Sequence, residues 1–322
     1  MLTAPTALSV IICTHNPRPE YFAQCIKALL AQTVSLDKWE LLLIDNASDS
    51  AKAPRLDLAW HPRARLMCEP QLGLTPARLR GIREAIGGLL VFVDDDNVLD
   101  ADFLETALRV GKEKPFLGAW SGQCRPGFEE QPPEWTRRYW GNLVIRQFDK
   151  DVWSNLPRLP DSMPCGAGLC VRHAVARHYL HLHESGKRSF QFDRAGGTLL
   201  SGGDNDLAAC ACDLGLGLGL IASLKLQHLI PKQRLTLDYI SRLAEDIAFS
   251  STLLDAERGL RTGRRVALGR AADFLRTMRL KQPHRRILRA AFRGRNRAIQ
   301  KLTVCQVAPP ITCEVAPAPG KR

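Results

Sequence analysis

The sequence predicts an α/β protein, a doubly wound and mostly parallel sheet flanked by helices, with a helical extension at its C-terminal end. Three observations carry this. Short apolar, β-rich runs alternate with helically spaced segments between residues 8 and 112, the order that builds parallel strands joined by right-handed crossovers. Each run ends in a polar or acidic loop, where open α/β sheets hold their ligands. From Leu235 onward the apolar spacing becomes helical, as expected of packed helices.

Leu8 to Cys13 is the first apolar run and is followed by the polar turn Thr14-His15-Asn16-Pro17-Arg18-Pro19. Glu20 to Ala31 carries Phe22, Ile26, Leu29 and Leu30 on one helical face. A second strand, Glu40 to Ile44, ends in Asp45-Asn46-Ala47-Ser48, and a third is expected at Ala64 to Cys68. Thr75 is placed to cap the helix Ala77 to Ile86, with Pro76 in its first turn, where a missing N–H costs nothing. Leu89 to Val93 then runs into Asp94-Asp95-Asp96, three carboxylates at the rim of a buried strand. Adjacent negative charges repel one another, and aspartate oxygens are ligands that Mg²⁺ and Mn²⁺ prefer. A solvated acidic turn is the other reading. In an extended segment Asp94 and Asp96 face one way and Asp95 the other.

After the helix Asp102 to Lys112 the alternation stops. Residues 123–164 are rich in proline, glycine and tryptophan, which predicts an irregular surface region with Trp135, Trp140 and Trp153 as core residues or as stacking faces for a sugar. Cys165 to Arg172 reads as a strand whose glycines let backbone approach something bulky. His173, His178, His181 and His183 fall on a helix, as a half-exposed face more than as a zinc site. Ser201-Gly202-Gly203-Asp204-Asn205-Asp206 puts two acids at the mouth of a helix over Leu207 to Leu214, where either could act as a cap. Helices are expected at Asp238 to Arg258, Arg264 to Arg279 and Arg285 to Lys301, and the proline-rich end from Pro309 is expected to be disordered.

The chain has 322 residues, 45% of them apolar, and a net charge of +12, enough for a full-sized core. No stretch reaches the roughly 18 apolar residues of a spanning helix, and the start lacks a basic region followed by an apolar one, so a cytoplasmic protein is expected. The ten cysteines are scattered and read as reduced thiols. Between Arg258 and Lys301 Asp273 is the only acid, which suggests an anionic partner surface, membrane headgroups before nucleic acid, or else a solvated intramolecular cap.

Taken together, Ser9-Val10-Ile11-Ile12-Cys13-Thr14-His15-Asn16, Leu43-Ile44-Asp45-Asn46-Ala47-Ser48, Gly73-Leu74-Thr75-Pro76-Ala77-Arg78 and Phe92-Val93-Asp94-Asp95-Asp96 resemble the motifs of the family 2 glycosyltransferases, inverting enzymes of the GT-A fold. The resemblance covers roughly Ala7 to Arg234. It implies a nucleoside diphosphate sugar donor, UDP by family habit, a hydroxyl acceptor on a cell-envelope glycan or lipid, and Mn²⁺ or Mg²⁺. It implies that Thr14, His15, Asn16 and Asp45 line the base pocket and that Arg78 reaches the nucleotide or its diphosphate. Asp94 then faces the ribose or uridine, Asp96 binds the ion, and Asp95 turns away toward Arg78 or the donor sugar. Relatives carry Glu-Asp before the helix of the general base. Here glycine replaces the glutamate, which puts the base at Asp204, with Asp206 the alternative. His228 matches a histidine that some relatives offer to the metal or diphosphate, and also reads as an ordinary strand-end histidine.

The expected organisation is a catalytic domain over 1–234, a basic helical extension over 235–305 that docks peripherally on the inner face of the membrane, and a proline-rich tail over 306–322. Two rival functions remain open. A nucleotidyltransferase would share the sheet-end acids and metal, but no glycine-rich basic signature follows the first strand. A non-catalytic nucleic-acid- or membrane-binding protein on a degenerate transferase fold would explain the arginines and leave Asp45, Asp94 to Asp96 and Asp204 without a task.

Overall fold

A computed structural model of the chain describes residues 6–54, 57–188, 190, 192, 194, 197–260, 277 and 280–307. The strands are β1 (Leu8–Thr14), β2 (Trp39–Asp45), β3 (Ala64–Cys68), β4 (Leu89–Asp94), β5 (Asn97–Leu99), β6 (Leu117–Phe128), β7 (Val152–Ser154), β8 (Leu169–Arg172) and β9 (Gly217–Ile230). They form one sheet in the order β3-β2-β1-β4-β8-β6-β9-β5, with β7 on β9. β1, β2, β3 and β4 pair in parallel, as do β6 and β9. β8 enters antiparallel between β4 and β6, and β5 and β7 are antiparallel to β9, so the sheet is mixed.

Alternation along the strands divides the core in two. Val10, Ile12, Leu41, Leu43, Val91 and Val93 face α1 (Pro19–Leu30) and α3 (Phe103–Glu113), which supply Phe22, Leu29, Phe103 and Leu104. Ile11, Leu42, Ile44, Leu90 and Phe92 face α2 (Leu74–Glu84), α4 (His173–Glu184) and α5 (Gly203–Asp213). The strands are apolar throughout because both faces are covered. At the amino end of the sheet the buried Glu40 accepts from Ser9 Oγ at 2.6 Å, Ile86 N at 2.8 Å and Arg65 Nη2 at 3.0 Å. Those bonds fix the register of β1 and β2 and leave the opposite, carboxyl edge free for chemistry.

Three local expectations are corrected. Gly73, not Thr75, is the N-cap of α2, and Thr75 is buried inside the helix. α5 begins at Gly203, so both acids lie in its first turn and not ahead of Leu207. Residues 123–128, expected to belong to an irregular surface region, are the end of the long strand β6.

Beyond the sheet, α6 (Leu237–Glu257) and α7 (His284–Val307) pack against each other. A Cβ on Gly294 would stand 1.9 Å from the Glu245 carbonyl oxygen, so the two helices touch backbone to backbone there. Trp135 joins the small apolar cluster of Ile240, Ala244 and Ile287, and Trp140 packs on Phe128. Trp120 is core, while Trp153 is exposed against Phe116 at the amino end of β9. The helix expected at Arg264 to Arg279 and the tail from Pro309 lie largely outside the described residues.

Candidate active site

A cavity of about 410 Å³ opens at the carboxyl edge of β1, β2 and β4. Its wall carries four carboxylates, Asp94, Asp95, Asp96 and Asp204, and three guanidinium groups, Arg78, Arg194 and Arg234. Thr14, His15, Asn46, Thr198, Ser201 and His228 add polar groups to the lining. No tryptophan lines it among the described residues, which removes the tryptophans as stacking faces in this cavity.

The acids owe their positions to the end of β4. The strand stops at Asp94, and the chain turns through Asp95 and Asp96 before β5 begins at Asn97. The alternation expected of an extended run therefore ends at Asp94, and all three carboxylates reach the cavity. Asp95 accepts the hydroxyl hydrogen of Thr14 and is not turned toward Arg78. Burial, then the charge of Asp96, raises the pKa of Asp94, against the lowering influence of Arg78 and His228. Burial and Asp96 push Asp95 up to about 7, although the Thr14 hydrogen bond acts the other way. Burial opposes ionisation of Asp96 as well, but His228 and Arg234 outweigh it and hold that carboxyl well below the usual range.

Asp96 is the most heavily tethered of the cavity's four acids. Its Oδ1 accepts from Asn97 Nδ2 at 3.0 Å, and its Oδ2 lies 3.0 Å from Arg234 Nη1 and 3.4 Å from His228 Nε2. His228 donates Nδ1–H to the Leu143 carbonyl at 3.0 Å, which fixes the ring and turns Nε2 toward Asp96. A metal-ligating histidine is usually anchored this way through its other ring nitrogen. Among the described residues no group of three His, Cys, Asp or Glu side chains forms a metal cage, so an ion here would draw its other ligands from substrate and water.

At the first strand end, His15 donates Nδ1–H to the Asn46 carbonyl at 2.8 Å, and Asn16 donates to His15 Nε2 at 3.1 Å. Asn16 also accepts from Asp49 N at 2.9 Å, so it braces the turn behind His15 and stays outside the lining. Asp45 likewise stands just behind the wall. Its Oδ1 is buried and takes no hydrogen bond among the described residues, an acceptor left for a donor from elsewhere. Asn46, not singled out from the sequence, accepts from Gly73 N at 2.8 Å and donates to the Glu69 and Gln71 carbonyls, tying the loops after β2 and β3 to α2.

On the facing wall Asp204 accepts from Gly166 N at 2.7 Å and Asn205 N at 2.9 Å. A Cβ on Gly166 would meet Arg78 Nη2 and Asp204 Oδ2 at 3.1 Å each, so the glycine lets the cation and the acid close on the same point of backbone. Asp206 lies outside the lining. Its fully buried carboxylate takes Arg188 Nε and Nη2 at 2.8 and 3.0 Å and Arg258 Nε and Nη2 at 3.0 and 2.7 Å. The two acids of one helical turn thus point to different places, one to the cavity and one into an ion-pair lock. Arg194, Arg234 and Arg258 carry no local motif in the sequence; the only hint for Arg234 is its place six residues after His228, at the end of the expected catalytic domain.

A sheet in which the acid run closes the fourth strand at its carboxyl edge is that of a GT-A glycosyltransferase. Residues 9–171, half of the chain, match the family model described as glycosyl transferase family 2, and the chain belongs to that family. It is similar to the uncharacterized glycosyltransferase YibD of Escherichia coli (strain K12), 30% identical over 115 residues, 35% of this chain and 33% of that protein. It is also similar to a glucosyl-dolichyl phosphate glucuronosyltransferase of Haloferax volcanii, 25% identical over 130 residues, 39% of this chain and 41% of the relative. This chain spans about a third of the length of the curated relatives it matches. The crystal structure of Staphylococcus aureus TarS 1–349 superposes with a TM-score of 0.51 at 14% identity, covering 94% of this chain and 83% of that one, which speaks for the fold alone.

Proposed function

We propose that this glycosyltransferase moves a sugar from a nucleoside diphosphate sugar, UDP-linked, to a hydroxyl of a glycan or lipid-linked acceptor by one inverting displacement, with Asp204 as general base. The observation that carries the reading is the convergence of Arg78, Asp94 to Asp96 and Asp204 on one cavity at the carboxyl edge of the sheet. Four carboxylates in one wall would repel a diphosphate, so the reading needs cations there. Arg78 and Arg194 supply two, and Asp96 with His228 fits a divalent Mn²⁺ or Mg²⁺ ion, one carboxylate oxygen and one anchored imidazole nitrogen lying 3.4 Å apart. Bound there, the ion would offset charge growing on the leaving diphosphate.

The chain's own residues set the rest of the reaction. His15 and Asn46 line the base end of the cavity in this reading, with Asn16 bracing the turn and the buried, unpartnered Oδ1 of Asp45 behind them as the acceptor for the base; Thr14 holds Asp95, and Asp94 faces the ribose. Arg78 is a fixed fork suited to phosphate oxygens. Asp204 is oriented by two backbone N–H groups and takes the acceptor's hydroxyl proton as that oxygen attacks the anomeric carbon from the side opposite the diphosphate.

One relative is named for a glucosyl-dolichyl phosphate substrate, and a lipid-linked acceptor is the reading carried over here. The basic extension serves in this reading mainly as an intramolecular brace. Arg258 is locked on Asp206, while Arg286, Arg293 and Arg297 pair with Asp238, Glu245 and Asp246 of α6. Among the described residues no helix is long and apolar enough to cross a membrane. Pelleting of the protein with anionic liposomes at low salt would restore residues 258–301 as a membrane-docking surface. The test of the catalytic reading is a hydrolysis screen of nucleotide sugars with Mn²⁺. At least one donor is expected to release its nucleoside diphosphate, and Asp204→Asn to abolish transfer. A folded protein inert toward every donor would refute it.

A further inference from the structure

Arg234 occupies a position that the proposed function assigns to a metal ion. β9 ends at Ile230, and after Pro231 the single turn Lys232–Leu235 folds back so that Arg234 returns alongside His228. Arg234 Nη1 stands 3.0 Å from Asp96 Oδ2 and 3.2 Å from His228 Nε2. The other atoms of both partners are already engaged, Asp96 Oδ1 by Asn97 and His228 Nδ1 by the Leu143 carbonyl. The Leu229 N–H donates to the Asp96 carbonyl at 2.8 Å and keeps β9 and the acid run in fixed register. Two ligand atoms therefore converge on one guanidinium nitrogen, and that nitrogen is the only cationic atom within reach of both among the described contacts.

A guanidinium and a divalent ion are alternatives at such a point, because each carries positive charge and each needs the same oxygen and nitrogen. The arginine lines the cavity with a side chain about one-fifth exposed, and its flexible stem ends in a planar fork that matches phosphate oxygens. Resting on the metal reading above, we propose that Arg234 competes with the divalent ion for Asp96 and His228, and that a diphosphate in the cavity draws it away. Arg234 then passes from the ligands to the phosphates, so that ion and donor each strengthen the binding of the other. The coupling is reciprocal by thermodynamic necessity. Without a diphosphate the arginine keeps the ion weakly bound; with one, the ion gains both ligands and the phosphates gain a cation.

The test reads metal occupancy and not turnover. Mn²⁺ binding is followed by the loss of the free-ion electron paramagnetic resonance signal, with and without UDP, in wild type, Arg234→Met and Arg234→Gln, each checked for native circular dichroism. Wild type is expected to bind Mn²⁺ at least ~10-fold more tightly with UDP than without, within the usual range of coupling between sites. Both variants are expected to bind Mn²⁺ without UDP ~10-fold more tightly than wild type and to lose most of the enhancement by UDP. Wild-type binding that the substitutions leave unchanged, or weaken in the absence of UDP, overturns the competition and leaves the metal reading intact. Failure of wild type and both variants to bind Mn²⁺ even with UDP overturns the metal reading and the competition with it.

Discussion

Asp204 and Asp206 sit in the same helical turn, and substituting each separates chemistry from stability. Asp206→Asn keeps the volume of a side chain with no exposed surface but removes the charge that faces Arg188 and Arg258, whose side chains are 8% and 5% exposed. Arg258 retains Asp213 at 3.1 Å. Arg188 makes its only ion pair among the described contacts with Asp206. Removing one partner of a buried pair leaves an uncompensated charge and costs about 3–5 kcal/mol, and the retained Asp213 contact places this variant toward the lower end. Asp204→Asn loses acceptor strength toward two backbone N–H groups at a partly open site, a cost of about 1–2 kcal/mol. Urea unfolding followed by tryptophan fluorescence should show Asp206→Asn as the less stable variant by about 2 kcal/mol, while only Asp204→Asn abolishes transfer under conditions where both are folded. Equal stability of the two, or a folded Asp206→Asn that is as inactive as Asp204→Asn, would refute the division of roles.

Further outcomes follow from the same geometry. Gly166→Ala would bring a methyl group within 3.1 Å of Arg78 and Asp204 and shift them slightly, which should lower kcat by a few-fold, up to ~10-fold, with little change in Tm, since a displacement of about 1 Å at a reacting group can cost 100-fold; an unchanged kcat would remove Gly166 from the site. Asp95 is held protonated up to about 7, and metal or donor binding that requires its ionised form should strengthen as pH rises through 7 and weaken below it, read by titration at pH 6 and 8; in Asp95→Asn the dependence over that interval should flatten. The raised pKa also has a stability consequence. An unfolded aspartate ionises near ~4, so the buried, ion-free site loses stability as pH rises from there to about 7, and Asp95→Asn should be more resistant to urea than wild type at pH 8. Gly294→Ala should force α7 from α6 at a cost of about 1–3 kcal/mol, seen as a lower urea midpoint; a wild-type midpoint would show that the helices do not meet so closely in solution.

The parallel half of the sheet was legible because its strands are continuous apolar runs bounded by polar loops, a pattern that burial on both faces demands. The acids at its edge were legible for the same reason, since a carboxylate run directly after a buried strand must stand at a sheet rim. Where the chain leaves regular geometry the reading failed. Asp95 was assigned by strand alternation, but the strand ends one residue earlier and the turn delivers Asp95 to Thr14. The length of β6 was hidden because Gly118, Gly122 and Pro126 are locally indistinguishable from turn residues, the two glycines lying at its register shifts against β9. Asp206 resembled Asp204 until tertiary contacts from Arg188 and Arg258, 18 and 52 residues away, distinguished them. Arg234 was invisible as a site residue because only the fold-back after Pro231 brings it to Asp96.

The central claim is that this cavity binds a nucleoside diphosphate through Asp96 and performs transfer through Asp204. Calorimetric titration of UDP with and without Mn²⁺ onto wild type, Asp96→Asn and Asp204→Asn addresses it most directly. Mn²⁺-dependent binding is expected of wild type, with its loss in Asp96→Asn and its retention in the transfer-dead Asp204→Asn. Binding that is indifferent to Asp96, or no binding to the folded wild type, would contradict it.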